Sequence, residues 1–112
     1  MYEHLTDLEP YELEQFAEEG LTDLPQDYYF AVEQDVSNLI ADFVVIITPK
    51  LLWDRDRVWS DSGSIWSILE NHLTGYHDLM EATFESPKGM TIAQVQADLT
   101  NRGFVENPGL LI

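Results

Sequence analysis

Apolar residues recur at intervals of three and four along most of this chain. Between residues 25 and 47 they fall at Tyr29, Val32, Val36, Leu39, Ile40, Phe43 and Ile47, the spacing of one helical face. Similar spacing predicts helices over residues 9–19, 25–47, 49–58, 64–85 and 91–102. Boundary residues agree with it. Pro10, Pro25 and Pro49 suit first turns, with Thr48 as the cap before Pro49, and Gly20 and Gly103 suit C-terminal stops. Thr91-x-x-Gln94 has the form of a capping box, in which each side chain answers a main-chain N–H of the first turn. Ile65, Ile68, Leu69, His72, Tyr76, Leu79, Met80 and Thr83 stripe the fourth helix and place it near the core, with Gly75 weakening it by about 1 kcal/mol. The expected fold is all-α: a compact bundle of four to five helices in a single acidic helical domain spanning 1–112. One segment resists this reading. β-Branched residues crowd FVVIIT, so an α+β fold with a strand at 43–48 stands as the alternative.

Composition supports a folded chain. Of 112 residues, 45% are hydrophobic and 12% aromatic, more than an acidic disordered chain carries. The C-terminal Leu110-Leu111-Ile112 is expected to dock on the core or touch a partner. The longest apolar run, FVVII, is too short to span a bilayer, and MYEHLTDLEPYE has neither a basic nor an apolar leader region. There is no cysteine, which removes disulfides and thiolate chemistry and fits a cytoplasmic location.

Catalytic and metal chemistry find no support in the spacing. If Gly63 of DSGSIWSILE took the glycine place of a calcium loop, the last ligand would be Leu69, one residue short of Glu70. His77 and Glu81 lie one helical turn apart, but no third ligand follows at suitable spacing. There is no G-x-S-x-G, phosphate loop or H-E-x-x-H. The chain is therefore expected not to be an enzyme and to use no cofactor or metal.

Charge changes the picture most. The net charge is -16, from 21 acidic and five basic residues. The first basic residue is Lys50, so twelve carboxylates precede any counter-charge. Ordinary helix surfaces mix signs, because like charges a turn apart repel by a few tenths of a kcal/mol. This imbalance opposes direct contact with nucleic acid or an anionic membrane. It fits instead a basic nucleic-acid-binding protein as partner, with the carboxylates standing in for backbone phosphates. The expected partner-binding residues are Glu9, Glu12, Glu14, Glu18, Glu19, Asp23, Asp27, Glu33 and Asp35. Trp53 and Trp59, interleaved with Arg55 and Arg57, form a possible secondary contact of residue types enriched at interfaces. A homodimer is also possible.

In size, charge, lack of cysteine and lack of catalytic motif, the whole chain resembles the small phage or mobile-element DNA mimics: anti-restriction and anti-CRISPR proteins and glycosylase inhibitors. The resemblance is compositional and carries over no functional residue. It implies an inhibitor that occupies a nucleic-acid groove. Two alternatives share the composition: an immunity or antitoxin-like inhibitor of a basic toxin, and a phage-type structural or assembly adaptor whose charge serves solubility.

Overall fold

The computed structural model describes residues 21–34, 43–58, 64–80 and 83–111. It replaces the expected helical bundle with a mixed α/β fold built on a five-stranded sheet. The strands are β1 (Tyr28–Gln34), β2 (Phe43–Pro49), β3 (His77–Met80), β4 (Thr83–Glu85) and β5 (Val105–Glu106). Their order across the sheet is β3-β4-β2-β1-β5. All neighbours are antiparallel except β5, which joins β1 in parallel. Three short helices accompany them: α1 (Lys50–Asp56), α2 (Ser64–Leu69) and α3 (Ile92–Asn101).

The predicted helix 25–47 is the largest correction. Its described parts are a 3-10 turn at Pro25–Asp27 and strands β1 and β2. The seven residues of β1 pair in register with the seven of β2, from Tyr28↔Pro49 to Gln34↔Phe43. The reason is a period of two hidden beneath the period of three and four. Tyr28 and Phe30, which the helical stripe omits, have no solvent exposure, and Val32, Val45 and Ile47 are buried with them. Alternate residues of two aromatic and β-branched runs thus share one face of a pleated sheet. Phe43–Pro49 takes the extended form.

The predicted helix 64–85 also breaks. Its start is α2, followed by a 3-10 turn at Glu70–His72. Gly75 then adopts φ 93°, a left-handed conformation open to glycine, inside a turn in which the Tyr76 N–H donates to the Leu73 carbonyl at 2.9 Å. Beyond it the chain forms β3 and then β4, so His77 lies on a strand and no longer sits a helical turn from Glu81, which is outside the described residues. The segment 49–58 contains α1, but Pro49 is its N-cap and Thr48 is buried in β2. Residues 91–102 contain α3, capped by Thr91. The Gln94 N–H donates to Thr91 Oγ1 at 3.2 Å, and the Thr91 N–H donates to Gln94 Oε1 at 2.9 Å. At its other end Gly103 takes φ 107°, and the Phe104 N–H donates to the Leu99 carbonyl. The predicted helix 9–19 lies outside the described residues.

Both faces of the sheet are covered, unequally. The inner face carries the main core. Tyr28, Phe30, Val32, Val45, Ile47 and Phe84 pack there against Ile65 and Leu69 of α2, Leu73 and Tyr76 of the following turn, and Val95 and Leu99 of α3. On the outer face Ala31 and Ile46 are covered at one end by Leu110, with Tyr29 and Trp53 packed at the margin. Leu110 therefore docks on the core, while Leu111 stays exposed. No described helix is long and apolar enough to cross a membrane.

Candidate interaction surfaces

The alternation that builds the sheet also sorts its polar residues. Phe30 and Val32 point into the main core, so Tyr29, Ala31 and Glu33 face outward from β1. By the same parity Val44 and Ile46 face outward from β2, and Thr83 and Glu85 from β4. The register then aligns Glu33, Val44, Glu85 and His77 in one row across four strands. Glu33 and His77 are exposed, and Val44 and Glu85 are half-buried. Of these the sequence marks only Glu33 as a partner-binding residue, and His77 only as a metal-ligand candidate. The others become neighbours through strand register, which leaves no local signature.

Of the nine predicted carboxylates, three are described: Asp23, Asp27 and Glu33. Glu9, Glu12, Glu14, Glu18, Glu19 and Asp35 lie outside the described residues. Asp23 is exposed, and half-buried Asp27 accepts a hydrogen bond from Thr22 Oγ1 at 2.9 Å. These two precede β1, whereas Glu33 lies near its far end, about 20 Å from Asp27 at the strand rise of roughly 3.3 Å per residue. The fold does not gather them at one spot.

The segment from Thr22 to Tyr28 is held by main-chain groups. Tyr28 Oη donates to the Thr22 carbonyl at 2.6 Å and accepts from the Thr22 N–H at 2.9 Å. Burial pushes the Tyr28 hydroxyl well above the usual tyrosine range, with Asp27 and Asp23 adding to the shift and the Thr22 hydrogen bonds opposing it.

All five basic residues of the chain are described. Arg102 Nε pairs with Asp98 at 2.9 Å, its Nη1 donates to the carbonyls of His72 and Thr74, and its guanidinium lies 5.1 Å from the centre of the Tyr76 ring. Tyr76 Oη donates to the same Asp98 carboxylate at 2.9 Å. Burial and then this carboxylate raise the Tyr76 hydroxyl. The cluster clamps the end of α3 to the turn before β3. Arg55 pairs with Asp56 at 2.8 Å, and Arg57 lies 3.9 Å from Asp54. Every arginine therefore has an acidic neighbour later in the chain than position 49, and none lies within ion-pair distance of Asp23, Asp27 or Glu33.

Trp53 is half-buried against the outer-face cluster, with the Arg57 guanidinium 5.8 Å from its ring. Tyr29 Oη donates to both Asp54 oxygens, at 3.0 and 3.2 Å, and partial burial followed by that carboxylate raises its hydroxyl. The Lys50 ammonium lies 5.6 Å from the Tyr29 ring centre. Arg57 closes α1 at φ 54°, a left-handed position that usually takes glycine or asparagine. Leu51 and Val58 remain 54% and 50% exposed. Sequence reading found the Trp and Arg residues here and missed Tyr29, whose partner Asp54 lies 25 residues away. Trp59 lies outside the described residues. Among the described residues, no group of three His, Asp or Glu side chains is placed to hold a metal ion.

The fold and these surfaces place the chain among mixed α/β sheet proteins. No protein-family model, curated protein or solved structure matches it.

Proposed function

We propose that the protein is an acidic inhibitor that occupies the basic nucleic-acid groove of a DNA- or RNA-binding protein. The observation that carries this reading is the segregation of charge. Twelve carboxylates and no basic residue occupy positions 1–49, and the arginines beyond them are engaged with Asp54, Asp56 and Asp98. Among the described residues, Asp23, Asp27 and Glu33 lie outside ion-pair distance of these arginines, and concentrated like charge opposes the compact state. A basic partner supplies that relief and is steered toward the surface. Glu9, Glu12, Glu14, Glu18, Glu19, Asp23, Asp27 and Asp35 carry the contact, with Glu33 near the far end of β1.

The test is capture of bacterial-lysate proteins on the immobilised chain at low and high salt, with mass spectrometry of the eluate. A nuclease or other nucleic-acid-binding protein should be retained at low salt, released at high salt and displaced by DNA. Reversal of Glu12, Glu14, Glu18 and Glu19 to Lys should abolish capture while the circular dichroism spectrum is unchanged. Capture that survives both reversal and high salt refutes the reading.

A further inference from the structure

We propose that the Glu-rich segment of residues 8–20 docks, within the same chain, on the exposed side of α1, where Lys50, Arg55 and Arg57 receive its carboxylates. Three of the chain's five basic residues fall within positions 50–57. Two of them lie along aromatic rings, at distances where the ring attracts a cation. The Lys50 ammonium is 5.6 Å from the centre of Tyr29, and the Arg57 guanidinium is 5.8 Å from that of Trp53. Both rings are packed against the outer-face cluster, so these cations stand on a fixed base. Their acidic neighbours do not enclose them. Arg55 keeps half of its side chain exposed beside Asp56, and Arg57 keeps 67% beside Asp54. Leu51, one turn before Arg55, is exposed and offers an apolar contact among the charges. On a chain of net charge -16, such a patch suits an acidic segment that carries an apolar stripe.

The chain itself supplies that segment. Residues 8–20, LEPYELEQFAEEG, hold five Glu and no basic residue. Helical spacing puts Leu13, Phe16 and Ala17 on one stripe, with Glu12 and Glu14 to either side. The segment also ends close to α1. Leu21 is buried in the main core, and Thr22 is bonded through both its N–H and its carbonyl to Tyr28 Oη. Tyr28 pairs with Pro49, the N-cap of α1. The anchor is thus one tyrosine side chain and one strand spacing, about 4.8 Å, from the start of that helix. Leu21 lies toward the inner face and α1 toward the outer, so the segment must pass the end of the β1–β2 pair. Thirteen helical residues span about 20 Å, against about 10 Å for α1, which is length enough. So short a tether gives an effective concentration of about millimolar, at which individually weak exposed ion pairs suffice. With Asp54 and Asp56 counted, α1 has an excess of one positive charge, against seven carboxylates in residues 1–20. A more basic surface would therefore displace α1. Docking stands on α1 and the Thr22 anchor, and only the part of α1 as internal competitor rests on the inhibitor reading.

The contact is tested by carbodiimide coupling, which joins a lysine amine to a carboxylate in contact with it as an amide. Lys50 and Lys88 are the chain's two lysines, and Lys88, exposed on the turn after β4, is the internal control. An equal mixture of unlabelled and heavy-isotope-labelled chains is coupled at low and high salt, digested and read by mass spectrometry. Peptides joining Lys50 to a glutamate of residues 8–20 should form at low salt in several-fold excess over those of Lys88, with both halves from one isotope. They should be lost at high salt and in R55E/R57E, whose folding is checked by circular dichroism. Coupling is read without any partner, so its outcome is independent of the inhibitor reading. Lys50 coupled only within its own helix overturns the proposal. So do links of mixed isotope, which would mean pairing between copies, and equal coupling of Lys50 and Lys88, which would mean random encounter. In the lysate capture, R55E/R57E should hold a basic partner to higher salt than wild type, and an unchanged threshold overturns the competitor role alone.

Discussion

Tyr28 offers the most direct quantitative test of how the chain is held before β1. Replacing it with Phe keeps the buried ring and removes one oxygen. That oxygen donates to the Thr22 carbonyl and accepts from the Thr22 N–H. A hydrogen bond contributes about 0.5–1.5 kcal/mol net. Thr22 is half-buried, so water can partly replace the lost partner, and Tyr28→Phe should cost about 1–2 kcal/mol at neutral pH. The pH dependence is more diagnostic. Burial raises the folded-state hydroxyl above its unfolded value, so the tyrosine's contribution is complete below about pH 10. Above that the unfolded chain ionises first, and stability falls by about 1.4 kcal/mol per pH unit until the folded state also titrates. The variant lacks this loss. The difference between the two proteins should therefore shrink as pH rises and vanish near about pH 11. Urea unfolding of both proteins from neutral to alkaline pH measures it, with Tyr76 common to both. A difference that stays constant across that range would refute the assignment.

Two further substitutions report on the framework. Asp98→Ala leaves Arg102 and the Tyr76 hydroxyl without their shared acceptor and should cost about 1–3 kcal/mol in urea unfolding. Gly103 and Gly89 both have left-handed φ, but a Cβ at Gly103 would meet Pro25 Cβ at 3.3 Å whereas one at Gly89 meets nothing within 4 Å. Alanine at Gly89 should thus cost about 1 kcal/mol for the backbone alone, and alanine at Gly103 measurably more in the same assay.

The last helix was legible because its signals are local. Thr91, Gln94, Val95, Leu99 and Gly103 all act within a dozen residues, and cap, stripe and stop agree. The sheet was not legible because its decisive partners are distant. YYFAV and FVVIIT have apolar residues at enough positions to satisfy either period. What selects the strand is pairing of Phe30 with Ile47 and of Val45 with Phe84, which no local window contains. The same holds for the surfaces. Trp53 and the arginines of α1 stood out by residue type, and Glu33 by charge. The row that joins Glu33 to Glu85 exists only through register, and Tyr29 gains its importance from Asp54 on another element.

The parallel strand β5 has a consequence for the order of events during synthesis. Its residues Val105 and Glu106 pair with Tyr29 and Phe30, and the next N–H, from Asn107, donates to the Phe30 carbonyl at 2.8 Å. Leu110, just beyond, covers Ala31 and Ile46. A strand made early is thus completed, on its edge and on its outer face, by residues made some 75 positions later. Loop closure over such separations slows folding. Until Leu110 has left the ribosome, the outer side of β1 has an unpaired edge at Tyr29 and Phe30, the kind of surface on which nascent chains join one another. The sheet is therefore completed late, and like charge along residues 1–49 holds neighbouring nascent chains apart until then.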